Sequence, residues 1–60
     1  MTLAERMVEY RAKERINLQE LAERCGLSEG TVRSIENGSV NNPSRLTVAK
    51  IELVIGKEES

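Results

Sequence analysis

The sequence has no histidine, no tryptophan and no phenylalanine, and only one cysteine, one proline and one tyrosine. Each shortage removes a class of function. Without histidine there is no side chain that switches charge near neutral pH, and the commonest metal ligand is missing. A single cysteine closes no internal disulfide and assembles no metal cluster. No set of nucleophile, base and oxyanion donors converges anywhere in the chain, so no enzyme activity, metal or cofactor is expected. Cys25 reads as a small buried apolar residue, compatible with a reducing cytoplasm. The shortage of aromatic rings leaves the core to Leu, Ile, Val, Ala and Met, which pack well between helices and offer little to a small-molecule ligand.

Long apolar runs are also missing. The opening MTLAERMVEYRAKER is charged every few residues, and no stretch is long enough to span a bilayer or to serve as a signal peptide, so a soluble, cytoplasmic protein is expected. Nine basic residues face ten acidic ones, for a net charge of −1. The composition therefore carries no strong general attraction to polyanions. Sixty residues suffice for one domain, 1–60, and not for two. The segment GSVNNPS, from Gly38 to Ser44, reads as a loop within that domain.

What is present is helical punctuation. Thr2 and Glu5 have the spacing of a capping box, and Leu3, Met7 and Tyr10 then line one face of a helix reaching about Glu14. Asn17 and Glu20 repeat the box ahead of Leu18, Leu21, Ala22 and Cys25, and Gly26 ends this second helix. Ser28 caps a third helix whose inner face is Val32, Ile35 and, beside them, Glu36, before Asn37 and Gly38 stop it. For the last helix, Asn42 is the expected N-cap with Pro43 at the first helical position. Leu46, Val48, Ala49, Ile51, Val54 and Ile55 supply its apolar face, and the tail from Lys57 to Ser60 is expected to fray. The fold class is thus a compact all-α bundle of four short helices, five at most, containing a helix-turn-helix at about 17–38.

The residues LQELAERCGLSEGTVRSIENG resemble the phage-repressor and Cro-like helix-turn-helix family, whose second motif helix enters the major groove of DNA. In that family an alanine of the second helix packs against the third, a glycine opens the turn and an aliphatic pair seats the recognition helix. Ala22, Gly26, Val32 and Ile35 stand at those positions, and Leu21 and Glu36-Asn37-Gly38 match as well. The resemblance continues upstream through Met7 and Arg11 and downstream to KIELVIG, although the family's usual further short helix is absent. It implies a lambda-repressor-like fold, double-stranded DNA as partner and a role in transcriptional control. It also implies that Arg11 pairs with Glu36, which agrees with the expense of leaving a carboxylate unpaired beside an apolar face.

With Val32 and Ile35 facing inward, at about 100° per residue, the opposite side of the third helix holds Gly30, Ser34 and Asn37, flanked by Thr31 and Arg33. Ser28 and Glu29 complete its exposed start. Glu29 matches a base-reading position of the family, where a carboxylate can accept from cytosine N4, and it can equally complement the helix dipole. Arg33 can grip guanine or reach a phosphate. Asn17 and Gln19 at the start of the second helix, and Asn41, Asn42 and Ser44 in the loop, are the expected phosphate-positioning residues. Leu18 departs from the family, which often has a phosphate-gripping glutamine there, and the loop is asparagine where relatives are often basic. From Asn17 to Gly38 two arginines face four glutamates. That acidic balance favours the alternative of a protein-interaction module that kept the fold. A weak homodimer through the last helix, by Leu53 and Val54, is also expected.

Overall fold

A computed structural model describes residues 2–56 and resolves them into four helices, α1 (Leu3–Glu14), α2 (Leu18–Cys25), α3 (Glu29–Glu36) and α4 (Arg45–Ile55). The tail expected to fray, Lys57 to Ser60, lies outside the described residues. No described helix is long and apolar enough to cross a membrane.

Local chemistry explains the helix starts. Thr2 accepts from the amide of Glu5 at 3.1 Å while Glu5 accepts from the amide of Thr2 at 2.9 Å, which closes the capping box of α1. That backbone hydrogen bond holds the Glu5 carboxyl below its ordinary range. Asn17 and Glu20 form the same reciprocal pair at the start of α2. At α3, Ser28 accepts from the Thr31 amide at 3.2 Å.

The start of α4 differs from the expectation. Ser44, not Asn42, is the N-cap, accepting from the Thr47 amide at 3.2 Å, and the helix begins at Arg45 instead of Pro43. Pro43 is half-buried just ahead of the helix and lines the same hollows as Ile35 and Val40. The Ser44 and Thr47 hydroxyls, 2.9 Å apart, then close the first turn.

The core draws on every helix: Met7 from α1, Leu21, Ala22 and Cys25 from α2, Val32 and Ile35 from α3, and Ile51 from α4. Leu3, Tyr10, Ile16, Leu18, Leu27, Val54 and Ile55 pack around it. Each fully buried aliphatic side chain contributes about 1.5–3 kcal/mol by leaving water. The apolar residues of α4 divide between two faces. Ile51, Val54 and Ile55 turn inward, whereas Leu46 and Leu53 are 67% and 86% exposed and Ala49 is exposed with them. Val54, expected both on the apolar face of α4 and at a contact between copies with Leu53, is half-buried and packs on the core, because at about 100° per residue it lies roughly 60° from Ile51 while Leu53 lies roughly 160° away.

Two helices end on a left-handed residue. Gly26 has φ 70° and accommodates it without steric cost, but Arg15 has φ 57° and carries a side chain there. An ideal Cβ at Gly26 would meet nothing within 4 Å, so a substitution there is opposed by backbone conformation alone. Gly26→Ala is accordingly expected to lower stability by about 1 kcal/mol, and Arg15→Gly to raise it by a similar amount. Urea unfolding followed by helical circular dichroism measures both shifts, and the expected signs are opposite.

Candidate nucleic-acid interface

The angle of α3 is set by burial on one side and by an ion pair on the other. Val32 is 0% and Ile35 4% exposed, which seats the helix on the core. Glu36, one residue further, receives Arg11 in a bidentate grip, Nε to Oε2 at 2.9 Å and Nη2 to Oε1 at 2.6 Å. The Glu36 side chain is only 8% exposed and that of Arg11 25%. The hydrogen bond to Glu36 raises the Arg11 guanidinium above its ordinary value. The pairing implied by resemblance is therefore present, and it joins α1 to α3.

Between α2 and α3 the turn is three residues, Gly26, Leu27 and Ser28. The Leu27 amide donates to the Ala22 carbonyl at 2.9 Å, and the Gly26 amide to Glu23 at 3.2 Å, so the turn is hydrogen-bonded at both positions. Half-buried Leu27 packs against the core and holds the corner. After α3, Asn37 accepts from the Ser39 amide and the Val40 amide donates to the Ser34 carbonyl, which fold the loop back on the helix.

This folding-back creates a groove of about 560 Å³ between α3, the loop and the first turn of α4. Ser28, Gly30, Thr31, Ser34, Asn42 and Ser44, six of the residues named from sequence, lie along it. Its lining is hydroxyl-rich and uncharged. Asn41 is separated from them and lines a smaller hollow beside Thr2, Leu3 and Ala4. Glu29, Arg33 and Asn37 lie outside the groove, and Asn17 and Gln19 are exposed at the start of α2. Several of these groups already have internal partners: the oxygens of Asn17, Ser28 and Asn37 serve caps and turns.

Three features escaped the sequence reading. Thr47 lines the groove, a position concealed by placing the cap at Asn42; the repeated Ser-x-x-Thr spacing at 28–31 and 44–47 was the available signal. Glu29 and Arg33 are bonded to each other, Nη2 to Oε1 at 2.7 Å, and their i,i+4 spacing predicts such a pair. Long-range ties were not legible. Arg6 engages Glu52 at 3.9 Å and the carbonyl of Gly56, joining α1 to α4. Arg24 donates to the Tyr10 hydroxyl at 2.9 Å and to Glu14, and these bonds, Tyr10 foremost, raise its guanidinium above the ordinary value. Cys25 is buried, and desolvation pushes its thiol up, which keeps it protonated and poorly nucleophilic.

Comparison with known proteins agrees with this geometry. A family model described as helix-turn-helix matches residues 7–60. No curated protein and no solved structure gives a significant match.

The Arg11–Glu36 pair should be visible in stability. Arg11→Met leaves a mostly buried carboxylate unpaired, and Glu36→Gln leaves a partly exposed guanidinium with a weaker acceptor. The first should cost about 2–3 kcal/mol, below the range of a fully buried pair because Arg11 is partly solvated, and the second less. Urea midpoints read by circular dichroism, in a chain with no tryptophan to report, should order wild type above Glu36→Gln above Arg11→Met.

Proposed function

We propose, because the chain belongs to the repressor-like helix-turn-helix family, that it regulates transcription by binding duplex DNA sequence-specifically, with α3 in the major groove. The family is one of DNA-binding domains and is typically non-enzymatic. The observation that carries the reading is the seating of α3: its apolar side is buried while Gly30, Arg33 and Asn37 remain exposed, and a short, hydrogen-bonded turn joins it to α2. Ser28, Glu29, Thr31 and Ser34 complete the proposed reading surface. Asn17 and Gln19, at the start of α2, and Asn41, Asn42 and Ser44, in the loop, are proposed to position phosphates.

The ionic contribution to binding should be small. Arg6, Arg11, Arg24 and Arg33, half of the eight cations among the described residues, each engage a glutamate. Each neutralised phosphate steepens the salt dependence by about 0.9 in log K against log salt, and a shallow slope follows. Specificity then calls for two copies on half-sites about 34–36 Å apart. We assign the contact between copies to the outer face of α4, where Leu46, Ala49 and Leu53 form an exposed apolar stripe. Of the two residues expected at this contact, Leu53 is exposed and Val54 half-buried against the core.

Selection from a random duplex pool should enrich a paired half-site motif. Arg33→Ala should then weaken binding to the selected duplex by about 1–3 kcal/mol, with loss concentrated at one base position if the arginine reads guanine. Leu53→Glu should abolish weak self-association in sedimentation while leaving the unfolding midpoint unchanged, because that side chain is almost fully solvated. Failure of the wild-type chain to bind any duplex at low salt, even when dimerised artificially, would replace this reading with a protein-interaction module.

A further inference from the structure

The only cation of α3 is not presented to solvent as an independent charge. Arg33 Nη2 donates to Glu29 Oε1 at 2.7 Å, with the two side chains 61% and 40% exposed. The acid lies one turn N-terminal to the base, the more favourable orientation for an i,i+4 pair, and both charges also complement the helix dipole. Gly30, between them in sequence, adds no side chain, and a Cβ built there would meet nothing within 4 Å. The exposure of both side chains leaves the pair accessible from solvent.

We propose that Glu29 and Arg33 act as one net-neutral reading unit for a G·C pair, in which Glu29 is the specificity-determining partner that turns Arg33 away from bare phosphate. This rests on the DNA-binding reading above. An unrestrained arginine is drawn to any phosphate, which is the source of sequence-independent affinity. Beside Glu29, an approaching phosphate meets a carboxylate of its own sign as well as the guanidinium. Guanine O6 and N7 are acceptors without formal charge, so Arg33 can give them its remaining N–H groups and keep its bond to Glu29. The second carboxylate oxygen of Glu29 is an acceptor, and the cytosine N4 amino group on the same major-groove edge is a donor. A paired Glu–Arg unit thus matches the donor and acceptor pattern of a G·C edge and matches a phosphate poorly.

The pair is exposed, so removing it shifts folding little, and the test lies in DNA binding. Wild type, Glu29→Gln, Arg33→Ala and the double variant are compared on a duplex selected by the wild type and on a scrambled duplex of equal length. Fluorescence anisotropy across a salt series reads the affinities, and circular dichroism verifies that each variant is folded. Glu29→Gln should bind the scrambled duplex about three- to tenfold more tightly at about 50 mM salt, with a log–log slope steeper by about 0.9, since Arg33 can now neutralise a phosphate. Its affinity for the selected duplex should change far less, so discrimination falls. In the Arg33→Ala background, Glu29→Gln should change scrambled-duplex binding no more than about twofold, the residue of simple charge removal. An unchanged slope and unchanged scrambled-duplex affinity in Glu29→Gln overturn the proposal, as does an equal gain with and without Arg33. A wild type that binds selectively alongside either result leaves DNA binding standing and removes only the pair's role. A wild type that binds no duplex overturns both.

Discussion

The bidentate grip of Arg11 on Glu36 is the constraint on which the arrangement of α3 depends. Glu36 sits at the end of α3 beside the buried Ile35, with a side chain 8% exposed, and a carboxylate placed there is tolerable only with a strong partner. Arg11 supplies one from α1, and its two parallel hydrogen bonds restrict direction as well as distance. Apolar burial at Val32 and Ile35 would by itself allow α3 to rotate or slide, because hydrophobic contact is not directional. The ion pair removes that freedom. Burial of Val32 and Ile35 decides which side of α3 meets solvent, and the ion pair ties the end of that helix to α1.

Half of the described cations are paired with a glutamate. Arg6 pairs with Glu52, Arg11 with Glu36, Arg24 with Glu14 and Arg33 with Glu29, and the first three link different helices. A domain with a net charge of −1 gains little from long-range steering toward DNA. Recognition must then come from short-range complementarity on α3 and along the hydroxyl-lined groove. There Ser28 with Thr31 and Ser44 with Thr47 cap two helices and stand along the same depression. Capping and lining are done by the same side chains, which couples the integrity of the helix starts to the shape of the surface.

Much of this was readable before any coordinates. The capping boxes at Thr2 and Asn17, the Gly26 corner and the Ser28 cap are local chemistry, decided within a few residues, and the helices begin and end where those signals stand. The Glu29–Arg33 bond was equally local, and its spacing was available to the reader. Ambiguity arose where two local signals competed, at Asn42-Pro43 and Ser44-x-x-Thr47, because each residue type can satisfy orphan amides of a helix that starts just after it.

By itself the sequence determined the number of helices, the N-caps of α1, α2 and α3, the all-α class and the residues that face inward on those three helices, since periodicity and capping act over one or two turns. Tertiary structure alone decided the rest. It placed the α4 cap at Ser44, two residues after Asn42, and sorted the apolar residues of α4 into an inner face with Val54 and an outer one with Leu53. It also joined Arg6 to Glu52 and Arg24 to Tyr10, and gathered Ser28, Ser34, Asn42 and Thr47 along one groove. The physical reason is common to all of these: each depends on how helices distant in sequence pack together, a geometry set by the whole core and by the Arg11–Glu36 tie, which no window of a few residues contains.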